Sequence, residues 1–298
     1  MKFRKHRQFF PSCSTHHQVE DDEAWERREE GNQEPRWQWS SSSSAHVIAQ
    51  LAKYLFYEPV VVATAMVGTR SWIGGLFTRS NRRQDKSVDY TFSPLQEERL
   101  QRLQDRIVVH FDETRPDHQE SLKALWNVAY PNVSLTGLVT EQWKEMGWQG
   151  PNPSTDFRGC GFIALENLLF SARTYPACFR RLLFKQRGDR AKWEYPFAVA
   201  GINISFMLIQ MLDLQNTSKP KCLPGMNFLK LLEEDEKAFD VLYCIAFAMM
   251  DAQWLAMHAS YMEFNEVLQA TRNQLERELS LDDIHRIHDL PAYNLLFQ

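Results

Sequence analysis

From residue 93 onward, apolar positions return every three or four residues, the spacing of helices that bury one face. Ser93-Pro94-Leu95-Gln96 opens the first stretch as a capping box with proline at the first helical position, and Leu100, Leu103, Ile107 and Phe111 continue it. Asp117 with Glu120 starts the next helix, whose Leu122, Leu125, Trp126 and Ala129 share a face before Pro131. Trp143 and Met146 mark a short helix that stops at Gly147, a good C-terminal cap. Phe162, Leu165, Leu168, Leu169 and Ala172 form another, with Thr155 or Asp156 as its cap, which puts Arg158 in its first turn. Pro176 opens a helix carrying Phe179, Leu182 and Leu183 that ends near Gly188.

Two stretches are apolar nearly all round. Residues 197–212 carry no charge and are too short for a bilayer, which predicts a buried central helix. Asn203 and Gln210 within it then need hydrogen-bond partners. Residues 216–225, with Pro220 and Pro224, read as a loop, and 234–257 as a second strongly apolar helix. Phe264, Val267, Leu268, Thr271 and Leu275 define an amphipathic helix with Arg272, Glu276 and Arg277 on its other face. Ser280 caps a last short helix before Pro291. No alternating strand pattern appears. The fold class is therefore all-α, a single large helical bundle around two buried helices.

The N-terminal third reads differently. Residues 1–45 hold an acidic run from Glu20 to Glu30 and a serine tract from Ser40 to Ser44, the composition of a disordered tail. Residues 46–92 form an apolar and basic arm: a helix over 46–57 with Val47, Leu51, Tyr54 and Leu55 on one face, ended by Pro59, the run 60–67, then Trp72-Ile73-Gly74-Gly75-Leu76-Phe77 followed by Arg79, Arg82, Arg83 and Lys86. The apolar run is too short to span a membrane. The arm either packs on the main domain or, through residues 72–86, touches an anionic membrane surface.

Composition narrows the classes further. A net charge of -4 gives no general pull toward nucleic acid. The five cysteines are scattered and form no C-x-x-C pair, so a disulfide framework and a cysteine zinc site are both unsupported, and a reducing, cytoplasmic setting fits. The basic N-terminus precedes no apolar run of signal-peptide length.

Familiar catalytic sets are missing. There is no P-loop and no nucleophile elbow. Gly159-Cys160-Gly161-Phe162-Ile163-Ala164 matches a dinucleotide fingerprint formally, but turn-forming residues rather than a strand precede it. His285 and His288 lack a third metal ligand. Arg158 is the one sharp candidate. A guanidinium beside glycines can grip a phosphate with two donors, or it can pair structurally with Asp156 or a core carboxylate. Trp143, Trp148 and Phe157 read as packing residues that shape the loop.

The ordered string Trp143, Gly147-Trp148-Gln149-Gly150, Pro153, Thr155-Asp156-Phe157-Arg158-Gly159, Gly161, Leu165 and Leu168 resembles the signature of the ELMO-domain family, of the ELMOD type. Trp148 stands where that family usually has phenylalanine. The resemblance extends over residues 117–279, with 93–116 as a leading helix and 280–298 as a C-terminal short helix and tail. Residues 70–77 look like the segment preceding the domain in plant members. It implies an all-helical domain that activates small GTPases of the ARF and ARL group, with Arg158 as the finger and the remaining motif residues as its partner-binding frame. GTP and Mg2+ would reside on the GTPase, so no cofactor of this chain's own is expected. The larger engulfment-type relatives lack the arginine and serve as scaffolds for exchange factors, which leaves a non-catalytic adaptor as the alternative.

Overall fold

A computed structural model describes residues 92–185, 194–215 and 219–298. The expectations for the tail, for the arm up to residue 91 and for its membrane contact lie outside the described residues. Regular structure among the described residues is entirely helical: α1 (Pro94–Ile107), α2 (Pro116–Ala129), α3 (Ile163–Thr174), α4 (Pro176–Phe184), α5 (Phe197–Met211), α6 (Leu223–Glu234), α7 (Ala238–Ala256) and α8 (Phe264–Leu279). Short 3-10 segments, Glu141–Met146 and Pro153–Gly159, join α2 to α3, and three more follow α7 and α8.

The start of α1 follows the sequence expectation in detail. Ser93 Oγ accepts from Gln96 N at 3.1 Å and Gln96 Oε1 accepts from Ser93 N at 3.0 Å, closing the capping box. The same Ser93 hydroxyl donates to Glu233 at 2.6 Å, and Arg99 donates to the carbonyl of Leu232 at 3.0 Å. One helix start is thereby tied to the exposed carbonyls at the end of α6, against which α1 packs.

At the centre lie α5 and α7. The 19 residues of α7 are apolar enough to cross a membrane by length and composition, but 89% of its apolar window is buried inside the bundle. It is a core helix, in contact with α3, α4, α5, α6 and α8 and with the C-terminal segment Pro291–Phe297. Packing is tight at Gly201 on α5, where an added Cβ would lie 2.7 Å from the Tyr243 hydroxyl and 2.8 Å from Leu168. Asn203 meets its hydrogen-bond requirement locally, donating to Val199 O at 2.8 Å.

Several boundaries differ from expectation. The second apolar helix begins at Ala238 rather than near 234, because Asp235 is extended and its carboxylate accepts from Lys237 N at 2.8 Å, forming a turn that splits α6 from α7. Helix α6 was not foreseen: Pro224 and Gly225, read as loop residues, sit in its first turn, with Gly225 pressed against Leu212 O. Helix α2 starts at Pro116 with Arg115 as its cap residue, and Asp117 pairs with Arg115 at 2.6 Å instead of capping. Helix α4 ends at Phe184, ahead of the expected Gly188. Ser280 closes α8, donating to Glu276 O, and opens no helix; the chain turns and re-enters 3-10 structure at Ile287–Asp289 and Pro291–Phe297.

Candidate functional site

The motif folds as two short turns over a row of rings. Thr140 caps Glu141–Met146, and Gly147 ends it in the left-handed region at φ 84°. Only glycine fits there, since a Cβ would stand 2.4 Å from Phe197 N and 2.8 Å from Pro196 C, at the backbone that starts α5. Beneath the loop, Trp126 meets Trp143 edge-on at 5.3 Å, Trp143 meets Trp148 at 6.1 Å and Trp148 meets Phe157 at 5.2 Å. Phe157 stacks on Phe111 at 4.5 Å, and His118 stacks on Phe162 at 3.9 Å. Trp143, Trp148 and Phe157 are thus the packing residues that the sequence suggested. Trp143 Nε1 donates to Leu138 O at 3.1 Å, whereas the buried Trp148 Nε1 has no hydrogen-bond partner among the described residues. A phenylalanine at 148 would not bury that donor.

The second turn corrects the position expected for Arg158. Asn152, not Thr155 or Asp156, is the cap: its Oδ1 accepts from Ser154 N at 3.0 Å, and Pro153 is the first residue of the segment Pro153–Gly159. Arg158 therefore lies in the last turn of this segment, and α3 begins only at Ile163. The cause is Gly161, whose φ of 77° breaks the chain direction between the two. Gly161 N still donates to Phe157 O at 2.7 Å, and Phe162 N donates to Val109 O at 2.8 Å, beyond the end of α1. At the end of a turn a cation faces the unpaired carbonyls, so the opposition to a helix dipole expected from the sequence does not arise.

Asp156 does not hold Arg158 in an ion pair. Its Oδ2 accepts from Gln149 N at 3.0 Å and its Oδ1 from the Thr155 hydroxyl at 3.3 Å, which fastens the first turn to the second. Burial pushes the Asp156 carboxyl above its ordinary range, against these hydrogen bonds and the nearby Arg158 charge. Arg158 is exposed and makes no hydrogen bond or ion pair with the described residues. The motif thus divides in two. Trp143, Trp148, Pro153 and Phe157 are buried, and Gln149, Thr155, Arg158 and Gly159 are exposed, with the site of a Gly150 Cβ open to 4 Å.

Arg158, Gly159, Cys160 and Gly161 form one side of an open cleft of about 390 Å3. Ile107, Val108 and His110 form the other side, with Phe206 and Ile209 of α5 also lining it. A smaller cavity of about 70 Å3 adjoins it through Gly159 and Cys160 and reaches Gln149, Asp156 and Asn203. Burial raises the Cys160 thiol to about 12, so it is no nucleophile. The sequence reading did not place residues 107–110 or Phe206 at the site. They belong to other elements, and no local pattern announces that the chain doubles back on them at Gly161.

Other candidates fall away. Among the described residues no three His, Cys, Asp or Glu side chains could hold a metal ion. His288 lies edge-on to Tyr293 at 4.7 Å. Among the described residues no strand precedes Gly159, so the dinucleotide fingerprint has no phosphate-binding context.

Comparison with known proteins places this geometry. The model of the ELMO/CED-12 family matches residues 101–268, which includes both turns of the motif and the second half of α1. ELMO domain-containing protein A of Dictyostelium discoideum is 33% identical over 197 residues, 60% of this chain and 20% of the relative. ELMO domain-containing protein 2 of Mus musculus is 31% identical over 156 residues, 52% of this chain and 51% of the relative. Engulfment and cell motility protein 3 of Bos taurus is 26% identical over 192 residues, 60% of this chain and 29% of the relative. The match spans about half of these relatives' length or less. Because the family model covers more than half of the sequence and includes the whole motif that frames Arg158, the chain belongs to the ELMO/CED-12 family.

Proposed function

We propose that this chain is a GTPase-activating protein for small GTPases of the ARF and ARL group, and that Arg158 is the residue it supplies to the GTP phosphates. The observation that carries this reading is Arg158 itself: an exposed guanidinium that makes no hydrogen bond or ion pair with the described residues, at the end of a turn held from below by packed rings. An exposed cation outside any ion pair, on a fixed frame, suits an anion that arrives with a partner.

The mechanism needs nothing from this chain beyond that charge and its placement. GTP and Mg2+ come with the GTPase. As the bond to the γ-phosphate breaks, negative charge builds on the phosphate oxygens, and a guanidinium placed there lowers the barrier, an effect worth about 1,000- to 100,000-fold in rate. Asp156 acts indirectly, by tying Gln149 N so that the loop ahead of Arg158 keeps its shape.

Single-turnover GTP hydrolysis on a panel of ARF and ARL GTPases tests the reading, with the full chain as wild type, Arg158→Lys and Arg158→Ala. The expected result is acceleration of at least one member by wild type and loss of most of it in both variants, since lysine cannot reproduce the two-donor fork. Both variants should bind that GTPase and melt within about 2 °C of wild type, an exposed side chain having little to lose. Wild type that binds a GTP-loaded member and accelerates none identifies an adaptor instead.

A further inference from the structure

We propose that the joint between α1 and α2, residues 107–110 with Val108 at its tip, is a docking wall that receives the switch surface of the GTPase and selects among GTPases. The proposal rests on the activating role proposed above and adds to it a surface outside the motif. Val108 is the C-cap residue of α1 and is 58% exposed, with Ile107 half-buried beside it. Scattered exposed valines are ordinary. This one lines the same cleft as Arg158.

Two properties of the cleft say what covers it. First, among the described residues that line it there is no carboxylate and Arg158 is the one permanently charged side chain, while Ile107, Val108, Phe206 and Ile209 supply apolar surface beside the polar His110 and Gln215. The complementary surface is an anion set beside an apolar patch. A nucleotide-bound GTPase offers that combination, because its apolar switch residues adjoin the phosphates. Second, the two sides of the cleft are fixed to each other. Phe162 N donates to Val109 O at 2.8 Å, and Gly161 lies so close that a Cβ there would be 2.5 Å from the same oxygen. One residue ahead of the joint, Arg106 holds Asp240 on α7 at 2.7 Å and Glu166 on α3 at 3.3 Å. A partner that brings phosphates to Arg158 meets a wall that does not yield, and such preorganisation favours the partner that fits it.

The test separates the wall from the finger. Hydrolysis is followed at increasing concentration of the full chain, as wild type, Val108→Gln, Arg158→Lys and Leu281→Gln, on every GTPase that wild type accelerates or binds. Leu281 is an aliphatic residue of similar exposure, 45%, outside this cleft. The expected result is a rise of about tenfold in the half-saturating concentration for Val108→Gln, unequal between GTPases, with the rate at saturation kept. Arg158→Lys should show the reverse, and Leu281→Gln should match wild type. An unchanged half-saturating concentration for Val108→Gln, or an equal rise for Leu281→Gln, overturns the wall and leaves the finger standing. Binding without acceleration that Val108→Gln still weakens overturns the finger and keeps the wall. Wild type that neither binds nor accelerates any member overturns both.

Discussion

Replacing the motif glycines one at a time separates those the fold requires from those it does not. Gly147→Ala meets two costs. The left-handed backbone at φ 84° costs an alanine about 1–2 kcal/mol. The new methyl would also stand 2.4 Å from Phe197 N and 2.8 Å from Pro196 C, and these are backbone atoms at a helix start, which cannot swing aside as a long side chain can. Forcing them apart adds about 1–3 kcal/mol, the usual range for overpacking. Near the middle of the combined range, about 3 kcal/mol, the expected fall in Tm is about 6–12 °C for a domain of this size. Gly150→Ala has neither cost, since Gly150 does not have positive φ and nothing lies within 4 Å of the new methyl. It should leave stability unchanged or raise it by up to about 1 kcal/mol, because alanine restricts the unfolded chain more than glycine does. Thermal melts followed by circular dichroism at 222 nm, the ordinary helix signal, compare the two variants with wild type. If Gly147→Ala melts within about 2 °C of wild type, or Gly150→Ala drops as far as Gly147→Ala, the steric reasoning is wrong.

Further expectations concern what holds the cleft. Asp240→Ala leaves Arg106 without its two-donor partner, at 3.2 and 2.7 Å, and should destabilise by about 2–4 kcal/mol in urea unfolding, whereas Glu166→Gln, whose pair is one-third exposed, should cost under about 1 kcal/mol. His118 is buried, its Nδ1 accepts from Asp112 N at 2.9 Å, and burial first, then the Arg115 charge, holds its pKa below the ordinary 6.5, against the carboxylates of Asp117 and Asp112. The unfolded chain therefore binds the proton more readily, so stability falls as pH drops below about 6.5 and goes on falling until the folded pKa is passed. Wild type minus His118→Gln should show that loss between pH 7.5 and the onset of carboxylate titration near pH 5, and a flat difference curve would refute the assignment.

Much of the bundle is legible without coordinates because its signals are local. A capping box fixes the first residue of α1, an uncharged stretch can only be the buried α5, and the order of glycines and aromatics between Trp143 and Leu168 identifies the family. Each depends on neighbours a few residues apart, and helix geometry is a rule about such neighbours. The errors also have local causes. Proline and glycine at 224 and 225 suit a loop and a helix start equally well, and only the packing of Gly225 on Leu212 decides between them. Asp235 splits α6 from α7 with a side-chain hydrogen bond in the middle of the charged run Glu233 to Lys237, a run that an exposed helical turn could equally carry.

The site depends more heavily on distance in sequence. Arg158 could be singled out from the sequence, but its place could not. Phe162 N meets Val109 O, so the chain must turn at Gly161, and the turn moves the arginine from the start of α3 to the end of a separate segment. The same contact brings residues 107–110 opposite Arg158, so that two stretches some fifty residues apart line one cleft together with α5. The sequence specified which residues could bear the charge and which would pack beneath them. Only the folded structure settled that Asp156 would bond the Gln149 amide instead of the arginine, because a carboxylate takes the donor the fold brings nearest, and the loop between them takes its course from Gly147, which sits against the backbone at the start of α5.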